Sequence, residues 1–280
     1  MSLPELTIAR QAAQAGGEII ARHFRQAVQV GGKQTYNLVT TADLESEAAI
    51  VATIRAAFPD DAILGEEGTT ASLDAPRLWI VDPLDGTNNF AHGLEQFAVS
   101  IGFYERGEPK VGVVHQPTRD SWHWAVAGEG AFRDDVRLRV STAERLDQSL
   151  IGCGFFYDRG AMMEATLRSI GDLFRSNIHG IRRFGAASLD LCLVAAGALD
   201  GFFEYELAPW DFAAGRLIVT EAGGRLSDCR GESLPLERTS ILATNGRVHE
   251  AALPWSSGIY PVDGLKAAAG ATAFECGFAR

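Results

Sequence analysis

Apolar positions along the chain follow two rhythms. Between residues 5 and 24, Leu6, Ala9, Ala13, Gly16, Gly17, Ile20 and Phe24 recur at helical spacing with Arg10, Gln14 and Arg22 on the other side, which predicts an amphipathic helix. Gly31 and Gly32 break the chain. A second helix is predicted from Asp43 to Phe58, with Glu45 and Glu47 in its first turn and Leu44, Ile50, Ile54 and Phe58 inward; Thr41 or Asp43 is its expected cap. The rhythm then shortens to β-rich runs at 62–64, 78–81, 97–103, 111–115, 122–126 and 137–140, separated by Gly, Pro and Asp clusters. The runs 111–115 and 122–126 read as an antiparallel pair. Helices return at 160–176, 186–197 and 211–222, interleaved with strands near 200–206, 224–227 and 240–244. This order predicts a layered α+β protein with a seam near 141–150, dividing an N-terminal part (1–145) from a C-terminal part (146–255). The tail, 256–280, has too weak a periodicity to assign an element.

With 280 residues, 46% apolar and 22% charged, the chain is long enough to bury a sizeable core, and disorder and a disulfide-stapled miniprotein are excluded. Its 25 basic and 36 acidic residues leave a net charge of −11, which disfavours nucleic acid or an anionic membrane as partner. At first sight the same charge also disfavours an anionic substrate. Cys153, Cys192, Cys229 and Cys276 lie far apart without a CxxC pair and are expected as free thiols in a reducing compartment. Neither a signal-type segment nor an 18-residue apolar run occurs, so a soluble cytoplasmic protein is expected.

Candidate chemistry concentrates in Trp79-Ile80-Val81-Asp82-Pro83-Leu84-Asp85-Gly86-Thr87-Asn88-Asn89-Phe90. Asp-Pro-x-Asp-Gly is a good turn sequence, and a turn is one reading of it. The other is a metal site: two carboxylates this close do not comfortably ionise together without a cation, and carboxylate and carbonyl oxygens, the Leu84 carbonyl among them, are what Mg²⁺ selects. Gly86 and Thr87 then open a short helical turn whose amides suit a phosphate. Upstream, Gly65-Glu66-Glu67-Gly68 is either a solvated acidic turn or a second pair of ligands. Downstream, Asp211 in Ala208-Pro209-Trp210-Asp211 is either a helix cap or a further ligand.

Taken together and in this order, the segments GEE at 65–67, WIVDPLDGTNNF at 79–90 and WDFAAGRLIVTEAGG at 210–224 resemble the inositol monophosphatase family. LVTTAD at 38–43 and HGIRRFGAASLDLCLVAAG at 179–197 are similar to family segments as well, extending the resemblance over roughly 5–250. It implies an α/β/α/β/α layered sandwich, a homodimer, and Mg²⁺-dependent, lithium-sensitive hydrolysis of phosphate monoesters with two or three metals per site. By position it implies one metal on Glu66, Asp82 and the Leu84 carbonyl, a second on Asp82, Asp85 and Asp211, and a weaker third on Glu66 with water. Asp43 and Thr87, hydrogen-bonded to each other, would orient the attacking water with Glu66 nearby, and the Gly86 and Thr87 amides would hold the phosphate. Glu204, with Asp85, Asp211 and the Ala187 backbone beside it, would receive the hydroxyls of inositol.

The 31–37 segment matches the family's loop over the site but is one residue short, which leaves Lys33 without a clear counterpart near the third metal. Ala208 stands where some relatives carry a polar residue. Arg182 and Arg183 could touch a sugar or phosphate, but the plainer expectation is a surface or dimer-interface pair, and Trp122 and Trp124 are expected in the core or at an interface. No P-loop, dinucleotide fingerprint or DxD phosphatase spacing is present, and the six scattered histidines receive no catalytic role. The substrate expected is myo-inositol monophosphate. Fructose 1,6-bisphosphate, histidinol phosphate and adenosine 3′,5′-bisphosphate are alternatives within the same chemistry, and a regulatory protein contacting RNA or the transcription machinery is an alternative outside it.

Overall fold

Small residues decide how the opening helices sit. In the computed structural model, which describes residues 3–30, 34–155 and 160–257, α1 (Pro4–Val30) packs along α2 (Gln34–Ala57). A Cβ on Gly16 would stand 2.7 Å from Ile50 of α2, and one on Gly17 would stand 2.5 Å from His115 of the neighbouring sheet. Adjacent glycines thus let one helix approach two layers closely, which a larger side chain would prevent.

The first sheet has seven strands in sequential order: β1 (Ala62–Gly65), β2 (Arg77–Asp85), β3 (Ala98–Glu105), β4 (Glu108–Gln116), β5 (Ser121–Val126), β6 (Gly130–Arg133) and β7 (Val136–Arg137). Only β1 and β2 run parallel. Its period-2 alternation sends Val99, Ile101 and Phe103 into the core beneath α1 and α2, while Gly102 turns to the opposite face. That face carries α6 (Pro209–Glu221), which lies beside α5 (Ala187–Ala195).

Beyond these helices lies the second sheet, in the order β11-β12-β10-β8-β9, from β8 (Leu150–Cys153), β9 (Gly180–Arg182), β10 (Gly201–Leu207), β11 (Arg225–Ser227) and β12 (Thr239–Thr244). Helices α4 (Ala161–Arg175) and α7 (His249–Ser257) pack on its outer face, and the short α3 (Thr87–Ala91) follows β2. The result is the expected α/β/α/β/α sandwich, with one apolar core between α1–α2 and the first sheet, one that runs along both sides of the α5–α6 layer, and one between the second sheet and α4 and α7.

Helix α6 is squeezed between layers by the small residues of its own sequence. A Cβ on Gly102 would be 3.0 Å from that of Ala213, and one on Gly112 would be 2.6 Å from the Ala214 carbonyl. On the other side, a Cβ on Gly215 would be 2.5 Å from Leu191 of α5. Ala213-Ala214-Gly215 is therefore a close-packing device that fixes where Asp211, one turn earlier, can lie.

Several expectations from sequence need correction. Helix α2 begins at Gln34, nine residues before the expected start, so neither Thr41 nor Asp43 caps it and Asp43 is a buried mid-helix residue. Strand β2 continues through Asp85 instead of ending at Val81. The short strands β6, β8 and β9 escaped the pattern, and the run at 137–140 contributes only Arg137 to β7. Helix α7 covers Pro254. Lys33, Cys276 and the tail from 258 lie outside the described residues. Cys153, Cys192 and Cys229 are free and buried, and among the described residues no helix is long and apolar enough to cross a membrane.

Candidate active site

The site grows from an irregularity in β2. Two residues three apart point to opposite faces of a regular strand, yet Asp82 pairs with Ser100 while Asp85 pairs with Ala98, so three steps on β2 match two on β3. The extra residue is a bulge, and it restores Asp82 and Asp85 to one side. Pro83, which has no N–H to give a ladder, is tolerated there. The Leu84 amide turns inward and donates to Asp82 Oδ1 at 3.0 Å.

Gly86 follows with φ 97°, and a Cβ there would stand 2.7 Å from the Gln96 carbonyl. Only glycine fits both the dihedral and the space. It opens α3, which Phe90 anchors through ring contacts at 5.4 Å to Phe24 and 5.1 Å to Phe97. The Thr87 hydroxyl donates to the Leu84 carbonyl at 3.0 Å. The expected bond from Thr87 to Asp43 is therefore replaced by a local one, because the hydroxyl folds back over its own turn.

Asp85 and Asp211 are held by backbone amides from different elements, and Glu66 is placed by the anchoring of its loop. Asp85 accepts from the Ala187 and Ser188 amides at 3.2 and 2.7 Å and from the Ser188 hydroxyl, which ties β2 to the start of α5. Asp211, third residue of α6, reaches back to the Ala208 amide at 2.7 Å. It caps the helix and faces the cavity at once, so the two readings of this residue are compatible. Glu66 sits on the loop after β1, which is held by Glu47 of α2: the Glu47 carboxylate accepts from the Glu67 amide at 2.7 Å, the Thr69 amide at 2.9 Å and the Thr69 hydroxyl at 2.7 Å. Glu204 rises from β10, and a Cβ on Gly154 would lie 1.8 Å from its Oε2.

These side chains line one cavity of about 200 Å³, smaller than the usual pocket for a drug-sized apolar ligand. Glu66, Asp82, Leu84, Asp85, Gly86, Thr87, Ala187, Glu204 and Asp211 are all on its wall. Asp43 is not: it lies behind the wall, near Glu66 and Glu67. Asp190, Glu206, Arg183 and Arg238 line the cavity too, so among the described residues seven acids face two arginines. Arg183 thus belongs to the cavity, while Arg182, exposed and bonded to the Ile181 carbonyl, does not line it. Among the described residues no histidine is on the wall. Trp122 and Trp124 pack against the core under α1, as expected.

Burial, for most of them together with mutual repulsion, raises the pKa of Asp43, Glu66, Asp82, Asp85, Asp190, Glu204 and Asp211. Burial, then Glu67 and Glu66, lift Asp43 to about 9; burial, then Asp211, lift Glu66 to about 8; burial, then Asp85, lift Asp211 to about 7. Glu66 is exposed as a residue, but its surface opens onto the cavity, where acids surround it. Burial also raises Asp82, Glu204 and Asp190, and it raises Asp85 against the opposing amides of α5. Among the described residues no three such side chains are already set around a common point as metal ligands.

Sequence reading missed Asp190, Glu47 and the Glu206–Arg238 pair, whose atoms stand 3.2 Å apart. A signal for Asp190 existed: it interrupts the apolar run Leu189–Ala196, and a lone acid in such a run is seldom buried without a reason.

Comparison with known proteins bears on what such a cavity does. The model of a family described as the inositol monophosphatase family matches residues 3–257. A protein of Salmonella typhimurium named Nus factor SuhB is 42% identical over 253 residues, covering 89% of this chain and 94% of its own. The structure of inositol monophosphatase from Anabaena superposes with TM-score 0.82 at 37% identity, over 92% of this chain and 97% of that one. SaIMPase-II, solved with inositol monophosphate bound, gives 0.77 at 31%, over 90% and 92% of the two chains; an inositol monophosphatase II structure from Staphylococcus aureus is also similar.

Proposed function

The chain belongs to the inositol monophosphatase family, and from that premise we propose that it hydrolyses a phosphate monoester, with a myo-inositol monophosphate as preferred substrate. One observation carries the reading: seven acids line a small cavity beside the Gly86–Thr87 turn, and burial together with repulsion resists their ionisation. Carboxylates and a backbone carbonyl are hard oxygen donors, the set that fits Mg²⁺. Glu66, Asp82, the Leu84 carbonyl, Asp85 and Asp211 are the residues that would hold it. When bound, Mg²⁺ supplies a lowered pKa for water and positive charge for the phosphoryl and leaving oxygens.

The chain's own groups do the positioning. Thr87 Oγ1 keeps its proton on the Leu84 carbonyl and has lone pairs left to accept a hydrogen bond from the attacking water, with Glu66 across the cavity. Asp43, behind the wall, acts through Glu66. The Gly86 and Thr87 amides receive the phosphate at a position where no side chain intervenes. Glu204, buried and backed by Gly154, accepts from the hydroxyls of the alcohol. Ala187 contributes through its amide, which fixes Asp85.

Phosphate release from inositol 1-phosphate tests the reading. It is expected to require Mg²⁺, to be inhibited by Li⁺, and to fall at least about a hundredfold in Asp85→Asn. Release that persists after chelation, or in the Asp85 variant, overturns it.

The name of the Salmonella relative favours a second role for this chain, in transcription. The charge of −11 weighs against a bare nucleic-acid partner but not against a protein one. Asp85→Asn separates the roles: binding to RNA polymerase should survive it while hydrolysis does not. Absence of binding by the wild-type protein would remove the second role.

A further inference from the structure

Four polar residues of the cavity have no place in the reaction as described: Arg183, Asp190, Glu206 and Arg238. Glu206 and Arg238 hold each other. Asp190 differs. It is the fourth residue of α5 and 2% exposed, flanked by Leu189 and Leu191 of the core. Its Oδ1 is buried with no hydrogen-bond partner, yet the residue forms part of the cavity wall. Arg183, on the same wall, lies close enough to draw its charge but forms no ion pair with it among the described residues. Asp85 and Glu204 face the same space.

A buried acceptor without a partner destabilises a fold, and nearly all such groups in native proteins are satisfied. An apolar side chain, as at the neighbouring core positions of α5, would be the stable choice here. A residue that breaks a local rule on the wall of a ligand cavity is best accounted for by the ligand that completes it.

We propose that Asp190 is a specificity-determining residue which, with Glu204, receives the hydroxyl groups of a polyhydric alcohol esterified to the phosphate, while Arg183 closes the same subsite from the rim. The proposal rests on the phosphatase reading of this cavity and deepens it. Asp190 contributes no metal ligand. It discriminates between leaving groups, because a substrate without hydroxyls leaves its oxygen as unsatisfied as it is in the free protein, while a polyol satisfies it.

The test compares Asp190→Leu and Asp190→Asn with wild type on two substrates, inositol 1-phosphate and p-nitrophenyl phosphate, and records thermal unfolding of each protein. Asp190→Leu is expected to melt at the wild-type temperature or above. Its kcat/KM for inositol 1-phosphate should fall at least about tenfold, mostly through KM, relative to that for p-nitrophenyl phosphate. Asp190→Asn, which keeps one acceptor oxygen, should lose less. If Asp190→Leu does not fold, the same change of ratio in Asp190→Asn carries the result. Equal loss on both substrates, or no change on either, overturns the role of Asp190 and leaves the phosphatase reading standing. A wild-type protein inert on both substrates overturns that reading, and this proposal with it.

Discussion

Replacing Glu47 by Gln should damage the site without touching any group on the cavity wall. Glu47 reaches from α2 to the loop that carries Glu66, with Oε2 bound by the Glu67 amide and Oε1 by the Thr69 amide and hydroxyl. An amide side chain can offer its single oxygen to the two Thr69 donors, but its NH₂ then confronts the Glu67 amide. One buried donor is left unsatisfied, at a cost of about 1–3 kcal/mol. An opposing effect exists, since the Glu47 charge helps to raise both Asp43 and Glu67. For Asp43 it ranks behind burial, Glu67 and Glu66; Glu67 is only half-buried, where solvent screens the repulsion. The hydrogen-bond loss therefore wins, and a net destabilisation of about 1–2 kcal/mol is expected, or roughly 2–4 °C in Tm per kcal/mol. Thermal unfolding in chelator reads the stability, and Mg²⁺ titration of phosphatase activity reads the placement of Glu66, whose half-saturating concentration should rise. Glu67→Gln is the control, because Glu67 takes part through its backbone amide: it should melt no lower than wild type. Unchanged melting and Mg²⁺ dependence in Glu47→Gln would refute the argument.

Other consequences can be checked in the same way. Because Asp43, Glu66 and Asp211 titrate higher in the folded protein than their ordinary values of 3.8, 4.5 and 3.8, at about 9, 8 and 7, the folded state binds more protons across that range. Their contribution to stability is complete below pH 4 and is lost as pH rises through 7 to 9, so Tm in chelator should fall across this window; a flat or rising Tm would count against it. Added Mg²⁺ should raise Tm and flatten that slope, since a ligand of the native state alone stabilises it. Gly154→Ala places a Cβ against the end of the Glu204 side chain, which must turn aside, and should raise KM for inositol 1-phosphate. Gly215→Ala should cost about 1–3 kcal/mol by unfolding, as it presses α6 off Leu191.

Motif chemistry was the most legible part of the chain, and the reason is local. Asp82, Asp85, Gly86 and Thr87 fall within six residues, where one bulge and one positive-φ glycine set the geometry. The strand run 97–103 and the helix 211–222 were legible through period and breaker residues, each within two residues of what the structure shows. The start of α2 was not. Gln34-Thr-Tyr-Asn-Leu-Val-Thr-Thr carries three threonines, a tyrosine and an asparagine, none a strong helix former, and yet it is helical. Nor were the strands β8 and β9, only four and three residues long, whose place is set by pairing distant in sequence, β8 on β10 and β9 on β8. The site residues that escaped notice act at a distance in sequence. Glu47 meets its partners 20 and 22 residues away, Gly154 faces Glu204 across paired strands, and Asp190 sits within what reads as an ordinary apolar helix.

Four of the acids that share this cavity are fastened in place, and that lets them gather. A cluster of like charges destabilises a fold unless its members are hydrogen-bonded or neutralised. Here Asp82 is held by the Leu84 amide, Asp85 by α5, Asp211 by the start of its own helix, and the Glu66 loop by Glu47. Backbone amides carry partial positive charge and cannot be lost by titration, so the carboxylates stay in place whether or not they are ionised. The fastening points come from the first sheet, from α2 on its one side and from the starts of α5 and α6 on its other, so the site exists only when these layers are assembled. The excess of acid over base, which looked at first like a barrier to an anionic substrate, then has a local meaning. Much of it is gathered where a cation would relieve it, and the same relief would turn the cavity from repelling a phosphate to holding one.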